Sequence, residues 1–104
     1  MKVMQRGIMK ILPGKMAEVM ELNKNYMAII SRLGMPTTGM RMYRPFTGGG
    51  NAMHTVVFEV EWDSLTTLAA FMEKVMADPE VQAQMPQWEA LTESHQVELY
   101  VVMS

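Results

Sequence analysis

The chain has 104 residues, eleven acidic and nine basic, for a formal net charge of −2. That is the size of one domain, 1–104, and it holds no excess charge for tracking a phosphate backbone. It has no cysteine, which excludes disulfides, thiolate nucleophiles and cysteine metal sites together. Apolar residues make up 49% and charged residues 19%, too apolar for a disordered segment. The opening MKVMQRGIMKILPGK is charged at every fourth or fifth position and stops at Pro13-Gly14, so it does not read as a secretory signal. Apolar runs are only a few residues long, too short for a membrane span. The expected location is cytoplasmic.

In chain order, Val3 to Leu12 alternates and stops at Pro13-Gly14, which reads as a strand. Lys15 to Leu33 is a helix, with Met16, Val19, Met20, Met27, Ile30 and Leu33 at three- and four-residue steps. Asn23 and Tyr26 flank that stripe. Gly34 caps the helix and Pro36 prevents its continuation. Thr38 to Phe46 is a second strand, with Met40, Met42, Arg44 and Phe46 on one face and Arg41 and Tyr43 on the other. Thr47-Gly48-Gly49-Gly50-Asn51 reads as a hairpin connection. It is followed by a strand rather than a helix N-terminus, which argues against a phosphate cradle.

Met53 to Trp62 is the third strand, with the clearest alternation in the chain. His54, Val56, Phe58, Val60 and Trp62 share one face; Thr55, Val57, Glu59 and Glu61 share the other. Asp63-Ser64 supplies an N-cap for a helix through Leu65, Leu68, Ala69, Met72, Val75 and Met76. Asp78-Pro79 closes it and opens a short extra helix carrying Trp88. A last strand follows, with Val97, Leu99, Val101 and Met103 expected toward the core and Gln96, Glu98 and Tyr100 away from it. His95 is expected at the surface before that strand.

Fourteen residues are methionine. Most fall on the apolar stripes, where an unbranched thioether fills irregular gaps. A deformable apolar pocket is the sharper reading of the same pattern. Thioether coordination of a soft metal ranks below both, in the absence of accompanying cysteine.

The order β-α-β-β-α-β with an extra helix gives an α+β, ferredoxin-like antiparallel sheet of strand order 4-1-3-2, with helices on one face. The helix-free face then shows Arg41, Tyr43, Thr55, Val57, Glu59, Glu98 and Tyr100. These are too mixed for a second core and too aromatic for a fully solvated surface. A second copy of the chain covering that face resolves the conflict, as a homodimeric α/β barrel.

Three pieces carry a family resemblance: Leu12-Pro13-Gly14-Lys15 at the end of the first strand, the Trp62 to Leu65 junction (WDSL), and Ala77-Asp78-Pro79-Glu80. With the run MADPEVQAQMPQWEAL before a closing strand, the chain resembles the dimeric α/β-barrel superfamily. Within it, the chain is similar to NIPSNAP-like and antibiotic-biosynthesis-monooxygenase-like small proteins. The resemblance covers most of the chain. It implies a homodimer with two sheets face to face, and it implies no settled activity. The glycine hairpin departs from the usual NIPSNAP form. So does the first strand, where Gln5, Gly7 and Met9 stand in place of an acidic-Arg-aromatic pattern.

Two functions follow as expectations. One is a protein binding a small apolar or aromatic ligand beside the sheet; the other is a cofactor-independent monooxygenase acting on an aromatic substrate. The ligand-binding candidates are Arg41, Tyr43, Glu59, Trp62, Trp88 and Tyr100. The catalytic candidates are His54, Tyr43 and Arg41, with His54 named because its charge changes near neutral pH. Each has a structural alternative: Arg41 in a cross-strand ion pair with Glu59 or Glu98, the tyrosines at an interface, the tryptophans in the core, His54 as a strand cap. No metal and no cofactor is expected. Haem-degrading relatives use an Asn on the first strand and a His in the second helical region, and this chain has neither. RNA binding fails for want of a basic glycine-aromatic motif on the third strand.

Overall fold

The computed structural model describes residues 1–36, 39–47 and 52–103. The elements run β1 (Val3–Ile11), α1 (Met16–Arg32), β2 (Met40–Tyr43), a 3-10 turn (Ala52–His54), β3 (Thr55–Trp62), α2 (Leu65–Ala77), α3 (Pro79–Leu91) and β4 (Thr92–Val101). The four strands form one antiparallel sheet in the order β2-β3-β1-β4, the expected ferredoxin-like order.

β1 lies inside the sheet and shows the alternation most clearly. Val3, Gln5, Gly7, Met9 and Ile11 face the helices, while Met4, Arg6, Ile8 and Lys10 stand half-buried on the other side. α1 ends where Gly34 takes φ +107°, a conformation that favours glycine. Gly34 N–H donates to Ser31 O and Met35 N–H to Ile30 O, the paired bonds of a Schellman cap. Ser64 starts α2 by accepting from Thr67 N–H at 3.1 Å.

Asp78 both ends α2 and begins α3. Its Oδ1 accepts from Glu80 N–H at 2.9 Å and Val81 N–H at 3.1 Å, with Pro79 at the first helical position. Its Oδ2 lies 3.6 Å from Arg32 Nη2 on α1. The segment expected as a short extra helix is therefore corrected to a full one of thirteen residues. Pro86 hides that from a reading of the sequence, because proline inside a helix removes one backbone bond.

Two further boundaries move. β2 is four residues long, and Phe46 lies beyond it, 99% exposed. Pro45 has no N–H for a ladder, so pairing stops before it. His54 sits in the turn before β3, not in the strand. Of the proposed hairpin connection, residues 48–51 lie outside the described residues, as does Thr38.

The core forms two clusters between sheet and helices. One gathers Ile29, Ile30, Val60, Trp62, Leu68, Phe71, Val75 and Val81; the other gathers Met9, Ile11, Val19, Leu22, Val56 and Leu91. β4 pairs only along β1 and lies at the sheet edge. Val97, Leu99 and Val101 share the helix-side parity of Gly7, Gln5 and Val3, yet they are 52%, 52% and 57% exposed. Their expected core role is corrected for a physical reason: β4 is an edge strand, and the helical layer leaves these three side chains largely uncovered.

Candidate functional site

Between the two core clusters lies a cavity of about 240 Å³. Its floor is the helix-side face of the sheet, with Gln5 and Met9 from β1, Phe58 from β3, and Met40 and Met42 from β2. α1 contributes Asn23, Tyr26, Met27 and Ile30; α2 contributes Phe71, Met72, Val75 and Met76. Val81, Met85 and Trp88 of α3 close it, and Thr92, His95 and Val97 bring in the edge strand. Eight of the twenty lining residues are methionine, and none is Asp, Glu, Lys or Arg. The methionines thus serve chiefly as pocket wall. Among the fourteen, only Met9 belongs to the fully buried core of the described residues.

Gly7 shapes the floor. A Cβ there would lie 2.2 Å from two ring carbons of Phe58, so only glycine lets that ring cross β1. Beside it, buried Gln5 accepts a 3.0 Å hydrogen bond from Trp62 Nε1. Tyr26 packs edge-on against Trp88 with ring centroids 5.9 Å apart, and burial raises its phenol pKa. Asn23 Nδ2 donates to Met42 Sδ at 3.4 Å. The His95 ring stands 6.1 Å from Phe58 on the exposed edge strand, and its partial burial lowers its pKa, favouring the uncharged imidazole.

The sequence candidates divide between the two faces. Trp88 lines the cavity. Trp62 does not; it is 2% exposed in the core, tilted against Phe71 at 5.1 Å. Arg41, Tyr43, Glu59 and Tyr100 lie on the helix-free face, and Tyr43 and Glu59 border a shallow dip with Arg6, Ile8, Pro45 and Val57. Arg41 stands opposite Glu59 in register, but Glu59 takes Arg6 instead, at 3.4 Å from Nη2. The expected Arg41 ion pair is corrected accordingly. Arg6 also lies 5.9 Å over the Tyr100 ring, and Tyr100 donates to Glu98 at 2.8 Å, a bond that raises its pKa. His54 is half-buried at its turn and lines neither concavity.

Gln5, Asn23, Tyr26, Thr92 and His95 are the polar cavity residues that sequence reasoning did not select. A signal for His95 existed: counting back by twos from Leu99 and Val97 places it on the helix side. Among the described residues, no group of three or more His, Asp or Glu could hold a metal ion. No helix among them is long and apolar enough to cross a membrane.

The architecture defines the class: an α+β, ferredoxin-like sheet with its helices on one face and a cavity between the layers. More particularly, its fold is that of NIPSNAP domain proteins. A NIPSNAP domain protein from Burkholderia xenovorans superposes with a TM-score of 0.77 at 25% identity, covering 100% of this chain and 96% of that one. A NIPSNAP family protein from Agrobacterium tumefaciens gives 0.76 at 23% identity, covering 98% and 86%. SnoaB from Streptomyces nogalater, a cofactor-independent oxygenase solved in a mutant form, gives 0.70 at 13% identity, covering 99% and 94%. No protein-family model and no curated protein sequence matches the chain.

Proposed function

We propose that this protein binds one small apolar or aromatic molecule in the cavity between sheet and helices, and that it does so as a homodimer joined through the helix-free sheet face. The cavity carries the reading: about 240 Å³, with apolar walls and a few inward polar groups. Pockets for drug-sized ligands run about 300–1,000 Å³, so a one- or two-ring molecule suits this one. In calorimetry, 2-ethylnaphthalene is expected to bind saturably, and Met85→Trp, which fills the wall, to weaken binding at least tenfold. Absence of binding at the solubility limit of the probe would sink the reading.

The helix-free face supports the dimer. Ile8, Val57, Tyr43 and Tyr100 form an apolar and aromatic field around the Arg6–Glu59 pair, with no helix over it. Tyrosine and arginine in an apolar surround are what protein interfaces favour. Sedimentation at micromolar concentration is expected to give twice the chain mass, and Tyr43→Glu with Ile8→Glu to give the single chain. A wild-type monomer would end the proposal.

A second reading is favoured by His95 and by the fold shared with SnoaB. A neutral imidazole at the cavity wall can accept the proton of a hydroxylated aromatic. With dioxygen as oxidant, a phenol would give a quinone and water. Oxygen uptake with 1-naphthol, lost in His95→Gln, separates this reading from binding alone.

A further inference from the structure

We infer that Gln5 sets the chemical class of the ligand, and that the molecule taken up carries an uncharged carbonyl oxygen: an aryl ketone, aldehyde or quinone. This rests on the binding reading above and goes one step beyond it.

The orientation of the Gln5 amide is fixed by its partner. Indole Nε1–H is a donor only, so the atom of Gln5 that meets Trp62 at 3.0 Å has to be the amide oxygen. The NH2 group is thereby turned the other way and held there. It has no acceptor among the described residues, and it is not sealed from space, since Gln5 lines the cavity. Gln5 itself is 8% exposed, so this donor belongs to a buried residue on an otherwise apolar floor.

Three ligand types respond differently to such a floor. A hydrocarbon displaces any water from the amide and returns nothing to it. An alcohol accepts one bond but must also place its own O–H, and the amide oxygen already takes the indole N–H while the other polar lining groups, Asn23, Tyr26, Thr92 and His95, stand on α1 and β4 rather than on the floor beside Gln5. A ketone accepts and leaves no donor unmet. A carboxylate accepts well, but no Lys or Arg lines the cavity to offset the loss of its hydration. Sites built around a fixed polar group reject analogues that lack its counterpart more strongly than apolar walls reject a change of size.

The test compares 2-acetylnaphthalene, 1-(2-naphthyl)ethanol, 2-ethylnaphthalene and 2-naphthoate by calorimetry. The ketone is expected to bind at least tenfold tighter than the hydrocarbon and severalfold tighter than the alcohol, with the carboxylate weakest. Gln5→Met keeps the side-chain length and removes the donor; it is expected to abolish the ketone's advantage over the hydrocarbon. Trp62→Phe frees the amide to turn, and is expected to let the alcohol bind as well as the ketone; it serves if Gln5→Met does not fold. Equal binding of ketone and hydrocarbon by the wild type overturns the role of Gln5 while leaving the pocket reading intact. A ketone preference that survives Gln5→Met also overturns it. If none of the four probes binds, the pocket reading falls and this inference falls with it.

Discussion

Trp62→Ala is expected to remove about 3–5 kcal/mol of stability, the range for truncating a large buried aromatic. The ring is 2% exposed, packs on Phe71, and holds the only hydrogen bond recorded for the Gln5 amide oxygen among the described residues. Domains of this size are stable by about 5–15 kcal/mol, so the variant would stand near the edge of folding. Trp62→Phe separates the two contributions. It keeps most of the ring and strands the Gln5 oxygen, at an expected cost of about 1–3 kcal/mol. Urea unfolding with unchanged slope checks both. A loss below about 1 kcal/mol for the alanine variant would contradict the packing described.

The second large effect belongs to Gly7. Gly7→Ala places a methyl 2.2 Å from the Phe58 ring, which then has to swing toward the cavity. Overpacking of this kind costs about 1–3 kcal/mol. The displaced ring also occupies ligand space, so binding is expected to fall at least tenfold along with stability. Phe58→Leu in the same chain removes the obstruction, and the double variant is expected to be more stable than the sum of the single changes. Strict additivity, or a Gly7→Ala protein that binds like the wild type, would show that Phe58 does not need the space over β1.

The fold was legible because its signals are local. The alternation of β1 and β3, the Ser64 and Asp78 caps and Gly34 each announce an element within a few residues, and together they fix the βαββαβ order. What the sequence concealed depends on neighbours distant along the chain. Pro86 disguises the length of α3, whose start is plain at Asp78-Pro79 and whose end at Leu91 carries no cap signal in the sequence. Val97, Leu99 and Val101 have the right parity for a core but sit on an edge strand, where the helices leave their side chains largely open. Glu59 has two cations within cross-strand reach, Arg6 and Arg41, and register alone does not choose between them.

The site was the least legible part. Reasoning from exposed chemistry led to Arg41, Tyr43 and Tyr100 on the open face. The cavity instead lies within the apolar layer, and its polar groups are single residues among hydrophobic ones. Gln5 reads as a departure from a family pattern, and its meaning depends on Trp62, fifty-seven positions away. The methionines gave the better indication. Their number exceeds what a small core needs, and the excess surrounds the cavity.

The methionine walls also govern how selective the cavity is. Each thioether arm turns about three bonds, so the empty outline is not a mould of the occupant. Rings of different outline can be accommodated by rearranging walls that are cheap to move. The floor is another matter: Phe58 is wedged over Gly7, and Gln5 is tethered to Trp62. Such a receptor is permissive about contour and exacting about polarity, and a family of molecules sharing one polar atom, rather than one silhouette, is what it would collect.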